Sequence, residues 1–182
     1  MKKIIVLVLL LSSLSVYASE RHDVTFSYNH ENYFSYAMKF GKVNDENLRL
    51  HEVHMGWIVN KNNFIGLGVY GSDDNIHDTN SKLGYAGLEY GVLRHTGPRG
   101  YYKFGILLGA GGLEKDDNRN KTVDKLLVFE PNVQFGFKMN RQLNLQLGTA
   151  FRLIHLVDAE QIDNRDLGGF SLDLGLLYFY NL

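Results

Sequence analysis

The dominant pattern along the chain is alternation, with a bulky apolar side chain at every second position. It is clearest at the C-terminal end, where Phe170, Leu172, Leu174, Leu176, Tyr178, Tyr180 and Leu182 fall on one face and Ser171, Asp173, Gly175, Leu177, Phe179 and Asn181 on the other. Successive side chains of a strand point to opposite faces, so this spacing predicts a strand with one wholly apolar side. The rule repeats upstream over Leu143 to Ile154, Leu127 to Met139, Tyr102 to Gly111, Tyr85 to Val92, Phe64 to Tyr70, Glu52 to Val59 and Phe34 to Gly41. Eight strands result, most of them close to the roughly nine to eleven residues that a tilted membrane strand needs.

A sheet with one apolar face buries it either inside a soluble barrel or against lipid outside a membrane barrel. The contents of the two faces decide between them. The apolar face carries the bulk, whereas the opposite face is rich in Gly and collects Lys39, Glu52, His54, Glu89, Lys103, Glu130, Lys138, Arg152 and Asp173. A narrow lumen accommodates small residues and a few long polar ones, and lipid penalises a basic residue at mid-depth by about 2–4 kcal/mol. The predicted fold is therefore all-β, a transmembrane antiparallel up-and-down β-barrel of about eight strands. An even number of strands closes such a sheet and leaves no open edge in lipid.

The connections agree. With the first strand entering from the periplasm, Asn60 to Asn63, His95 to Gly100 and Met139 to Gln142 are the short turns. Ser72 to Lys82, Glu114 to Lys125 and His155 to Gly168 are the longer external loops, rich in Asp, Asn, Lys and Arg, and only the first external link, Asn44 to Asn47, is brief. Trp57, Tyr102, Phe137, Tyr178 and Tyr180 stand where a periplasmic aromatic girdle falls.

Residues 1–18 are set aside as a secretory signal peptide: Lys2 and Lys3 precede an apolar run from Ile4 to Leu11, and Val16-Tyr17-Ala18 places small residues before a cut between Ala18 and Ser19. The run is too short to span about 30 Å of hydrocarbon. Residues 19–32 form a periplasmic tail or an extension of the first strand, with Val24, Phe26 and Tyr28 in phase, and residues 33–182 form the barrel. Without Lys2 and Lys3 the chain has 17 basic and 20 acidic residues. That balance argues against nucleic acid as a partner, because nothing is in excess to neutralise phosphates. The absence of Cys excludes a disulfide scaffold, a thiolate site and a lipoprotein anchor.

The stretches Gly56-Trp57-Ile58-Val59-Asn60, Gly84-Tyr85-Ala86-Gly87-Leu88-Glu89-Tyr90, Leu108-Gly109-Ala110-Gly111-Gly112, Val128-Phe129-Glu130-Pro131-Asn132-Val133 and Asp166-Leu167-Gly168-Gly169-Phe170 occur in this order. Together they resemble a group of small outer-membrane β-barrel proteins common in Bacteroidetes-type bacteria, within the porin-like eight-stranded barrels. The resemblance covers residues 33 to 182. It implies a Gram-negative outer-membrane location, contact with outer-membrane lipid and handling by the barrel assembly machinery, and it brings no assigned activity or binding residues. Proteins of that membrane usually end in Phe or Trp; here Phe179 and Tyr180 stand just upstream of Leu182.

The polar face offers the candidate chemistry. Four acidic residues, Glu52, Glu89, Glu130 and Asp173, oppose four basic ones, Lys39, Lys103, Lys138 and Arg152. A balanced buried set predicts crossed ion pairs that plug the lumen, and eight strands enclose a space that side chains can just fill. Pro131 forfeits a ladder hydrogen bond and is expected at a bulge or a ladder gap. His51 and His54, three apart in a strand, point to opposite faces and cannot share a metal. Gly66-Leu67-Gly68 and Gly109 to Gly112 precede no helix, so they are read as relief of crowding rather than a phosphate loop.

Asp73, Asp74 and Asp78, and separately Asp116 and Asp117, lack the spacing of a known Ca²⁺ loop and are read as solvated charge. No His-x-Ser arrangement of the barrel deacylase kind is present, which leaves a Ser or Thr paired across strands with His155 or His77 as the catalytic alternative. No catalytic residue, metal ligand or cofactor is assigned. The expected role is structural or interactive, with an external ligand or protein met at the loops; a lipid-modifying enzyme and a narrow channel along the lumen charges are the alternatives.

Overall fold

The computed structural model describes residues 32–43, 46–59, 62–72, 80–117, 120–156 and 168–180. The signal peptide, the Ala18–Ser19 cleavage site and the rest of the segment up to residue 31 lie outside the described residues, as do His77, Asp73, Asp74 and Asp78. Eight antiparallel strands run β1 (Asn32–Val43), β2 (Glu46–Val59), β3 (Asn63–Ser72), β4 (Asn80–His95), β5 (Gly100–Asp117), β6 (Asn120–Lys138), β7 (Leu143–Leu156) and β8 (Gly169–Tyr180). Each pairs with its neighbours in sequence, and β8 pairs back onto β1, with Asn32 opposite Tyr180 and Gly41 opposite Ser171. The sheet is thus a closed barrel.

Both ends of the barrel strand order lie at one rim, with three short connections; this is called the turn end, and the opposite rim the loop end. In the β4–β5 turn, Thr96 N–H donates to Gly100 O at 3.0 Å, and Gly97 adopts φ 155°, a backbone that side chains with a Cβ rarely take. In the β6–β7 turn, the Asn140 side-chain oxygen accepts from the N–H groups of Gln142 and Leu143 at 2.9 and 2.8 Å. That is the local bond by which Asn nucleates turns.

One expected loop is not a loop. The segment Glu114 to Lys125 continues β5 to Asp117 and starts β6 at Asn120, so the two strands form a ribbon that rises past the rest of the wall. β4 follows it, with Asn80 opposite Asp116, while β7 stops pairing at Leu156 opposite Leu126. In this ribbon Thr122, Val123 and Lys125 are all exposed, so the apolar period disappears although the backbone ladder continues.

The alternation sets the wall's two faces as predicted. Leu88, Leu108 and Phe170 face out at 60%, 61% and 73% exposure, while Glu89 and Glu130 are fully buried inside. Pro131 produces a ladder gap and no bulge: the β6–β7 register is unchanged from Phe129–Leu153 to Asn132–Ala150, with Pro131 opposite Ile106 on its other side. Glycines make room for the lumen aromatics. The Tyr33 hydroxyl occupies the space over Gly56 and Gly66, and the Tyr101 ring the space over Gly136.

The candidate functional site in the barrel lumen

The inward side chains sort into layers along the barrel. Toward the loop end, Leu48, Leu50, Leu83, Leu107, Leu113, Leu126, Val128 and Ile154 pack with Tyr70 and Tyr85 into an apolar layer. Toward the turn end a second apolar layer joins Tyr33, Phe64, Leu93, Tyr101, Leu177 and Phe179. The charged residues come from the middles of the strands, between these layers, and they form two linked groups.

The first group centres on Lys39 from β1. Its ammonium pairs with Glu52 at 3.2 Å and Asp173 at 3.8 Å, and it donates a close hydrogen bond to Glu130 on β6, across the lumen. Glu130 is also met by Arg152 Nε at 3.3 Å and accepts from the Tyr85 hydroxyl at 3.0 Å. Two stacked rings, Tyr70 and Tyr85, lie 4.3 Å apart. Lys39 sits over the Tyr70 ring and Arg152 over Tyr85, positions in which a cation is attracted by the ring face.

The second group centres on Glu89 from β4. Its carboxylate accepts from Lys103 Nζ at 3.1 and 3.0 Å and from the Asn132 amide at 3.1 Å, and it meets His54 Nδ1 at 2.9 Å. Lys103 in turn lies 4.3 Å from the Phe64 ring centroid and 5.5 Å from that of Tyr33. His54 joins the two groups, because its Nε2 lies 3.9 Å from Glu52.

Seven of the eight lumen charges read from the sequence come together in this way: Lys39, Glu52, Glu89, Lys103, Glu130, Arg152 and Asp173. Lys138 does not join them. It ends β6 at the turn end, where its backbone N–H donates to Arg99 O at 2.8 Å and its register partner is Asn144. Alternation gives a residue's face but not its height, so it does not separate Lys138, at the end of β6, from the charges at the middle of the strands. The central set therefore holds four carboxylates against three permanent cations, with His54 as the eighth member. Sequence reasoning put His54 on the inner face but gave it no part, and it missed Tyr85 and Asn132, whose inward phase and polar ends were the available signal.

His51 and His54 do point apart. His51 is on the outer wall, where the Tyr36 hydroxyl meets its Nδ1 at 2.5 Å. His155 is also outside, opposite Leu127 on β6. Among the described residues, no group of three or more His, Asp or Glu side chains is arranged so that it could hold a metal ion.

No family model and no curated protein sequence matches the chain. Solved structures do. The chain superposes on Neisserial surface protein A with a TM-score of 0.66 at 10% identity, covering 82% of this chain and 96% of that one. The N-terminal β-barrel domain of Pseudomonas aeruginosa OprF gives 0.62 at 8% identity over 83% and 98%. Ail, the attachment invasion locus protein of Yersinia pestis, gives 0.56 at 11% identity over 82% and 97%. At these identities the likeness establishes one thing, that the chain has the closed eight-stranded antiparallel fold of small outer-membrane β-barrels.

Proposed function

We propose that the chain is a Gram-negative outer-membrane β-barrel whose lumen is closed by its own side chains and whose role is structural or ligand-binding, exercised at the loop end. One observation carries the reading. Burial is inverted relative to a water-soluble protein, with Leu, Phe and Ile covering the outside of the wall and paired Lys, Glu and Arg filling the inside. The turn end is then periplasmic, and its aromatic residues Trp57, Tyr102 and Phe137 mark the interface. The ordered motifs from Gly56 to Phe170 support a place among the small barrels of Bacteroidetes-type bacteria.

The layers support this closure. The charges of the central set contact one another, and among the described residues apolar side chains lie on both sides of them. At the loop end the acidic residues Asp45, Glu46, Asp73, Asp74 and Asp78 outweigh the bases of the same segments. A solved structure of Ail holds the heparin analogue sucrose octasulfate; the acidic loop end here favours a cationic or neutral partner over such a polyanion.

The test is single-channel recording of the refolded protein in planar bilayers, beside a Lys103→Ala/Glu130→Ala variant. Silence in the wild type with openings in the variant is expected. Steady conductance in the wild type would refute closure and make the central charges a selectivity filter.

A further inference from the structure

Charge is divided between the two rims in a way the lumen does not explain. Outside the central set, every Asp and Glu of residues 32–182 belongs to a loop-end segment, and residues 56–66, 90–105 and 134–146, which contain the three turns, hold none. The same turn segments carry Arg94, His95, Arg99, Lys138 and Arg141 among the described residues. Arg94, Arg99 and Arg141 are exposed. They form one patch rather than scattered charges, because β5 and β6 are neighbours and the Lys138 N–H to Arg99 O bond fixes the β4–β5 turn against the end of β6.

The patch lies at the rim of the apolar wall. Arg94 faces outward opposite Tyr102, whose ring packs 5.3 Å from that of Phe135. Aromatic rings of this kind sit at the headgroup level of a bilayer. Basic side chains immediately beyond them reach the phosphate layer, where the basic turn segments attract anionic headgroups.

The geometry points to a binding surface for anionic phospholipid, of the phosphatidylglycerol class, formed by Arg94, Arg99 and Arg141 at the turn end. It rests on the reading of the chain as a membrane barrel with that end in the periplasmic leaflet. The surface selects the lipid that packs around this end and, with the acidic loop end, orients the barrel across the membrane. A peptidoglycan-like polymer is less well matched, because Arg94 and its aromatic neighbours lie on the lipid-facing wall rather than beneath it.

The protein carries its own reporter. Trp57 is the sole tryptophan, faces outward at the same end and stands two strands round the wall from β4. The mature chain is refolded into phosphatidylcholine vesicles containing a trace of pyrene-acyl phosphatidylglycerol or pyrene-acyl phosphatidylcholine, and energy transfer from Trp57 is compared. Each basic side chain at an anionic surface favours the charged lipid by about fivefold before screening, so transfer to the glycerol lipid is expected to exceed the choline lipid by about threefold or more at low salt. The preference should fall toward equality at about 1 M salt, where the screening length is near 3 Å.

An Arg94→Gln/Arg99→Gln/Arg141→Gln variant is expected to lose the preference, whereas an all-Lys version of the same positions and a loop-end Lys42→Gln/Lys82→Gln/Lys125→Gln variant are expected to keep it. Equal transfer in an inserted wild type, or an undiminished preference in the folded Gln variant, overturns the proposal. Should the Gln variant fail to fold, the salt titration of the wild type decides alone. Retention on purified peptidoglycan without a lipid preference transfers the surface to a cell-wall polymer and also overturns it. A wild type that shows neither heat-modifiable mobility nor a blue-shifted Trp57 emission is not a membrane barrel, which removes the underlying reading and is distinguishable from loss of lipid selectivity.

Discussion

Lys103 is the residue whose removal tests the central set most directly. Its ammonium supplies two of the contacts to the fully buried Glu89 carboxylate and, among the described residues, the permanent positive charge paired with it. In Lys103→Met the side chain keeps its length and packs against Phe64 and Tyr33, so no large cavity forms. Glu89 is left with His54 and the Asn132 amide. Breaking a buried pair by removing one partner costs about 3–5 kcal/mol, because the other charge stays desolvated. Loss of the cation's place over the Phe64 ring adds about 0.5–2 kcal/mol.

Reversible urea unfolding in lipid vesicles, followed by Trp57 fluorescence, measures the difference through the midpoint at constant slope. The Glu89→Gln variant and the double variant complete a cycle. Lys103→Met/Glu89→Gln removes both charges and leaves amides and apolar groups, so it is expected to be more stable than Lys103→Met by at least about 2 kcal/mol, a coupling typical of residues that share a network. A Lys103→Met cost below about 1 kcal/mol, or a double variant whose loss equals the sum of the singles, would refute the reasoning, since both mean that the pair is hydrated rather than buried.

Lys39→Met is expected to destabilise more than Lys103→Met in the same assay, because it leaves Glu52, Glu130 and Asp173 facing one another with Arg152 as the remaining permanent cation; a smaller loss would show that Lys39 is not the hub. Ile106→Arg, at the middle of the outward face of β5, is expected to cost about 2–4 kcal/mol in a bilayer, and a neutral result would argue against lipid at that position. Gly136→Ala drives a methyl into the Tyr101 ring and is expected to cost about 1–3 kcal/mol, whereas Gly71→Ala, with nothing within 4 Å of the new methyl, stays within about 0.5 kcal/mol or gains slightly; similar midpoints for the two would deny the close packing of the lumen.

How much of this was legible in the chain depends on what the outer face demands. On the proposed membrane reading that face must be apolar, so the period of two marks strands such as Gly169–Tyr180 and Leu143–Leu156 plainly. Above the rim the demand lapses, and the β5–β6 ribbon reads as a polar loop although its ladder runs on to Asp117 opposite Asn120. The inner charges were legible by face but not by partner. Lys39 and Glu130 are 91 residues apart on strands that are not neighbours, so their meeting depends on how the sheet closes. The strand-by-strand pattern does not contain that closure, and it equally hides that Lys138 sits a long way along the barrel from the set it was counted with.

The position of the charges, more than their number, accounts for their presence. A lumen this narrow fills as well with Leu as with paired ions, and apolar replacement of a buried ion pair is often neutral or stabilising. The lumen of this barrel is already apolar in two layers, so apolar residues were available to it. Had the middle layer also been apolar, both faces of β1, β4, β5 and β6 would have been alike, and a one-residue slip would have exchanged them at little cost. With Lys39, Glu89, Lys103 and Glu130 on the inner face, the same slip turns each strand's charge into lipid, which costs about 2–4 kcal/mol for each basic residue near mid-depth. The partners add a second constraint, since Lys39 reaches Glu130 across the lumen only when the register around the whole barrel is correct. The central set, flanked by apolar layers above and below, thus ties the face of each strand to the closure of the sheet.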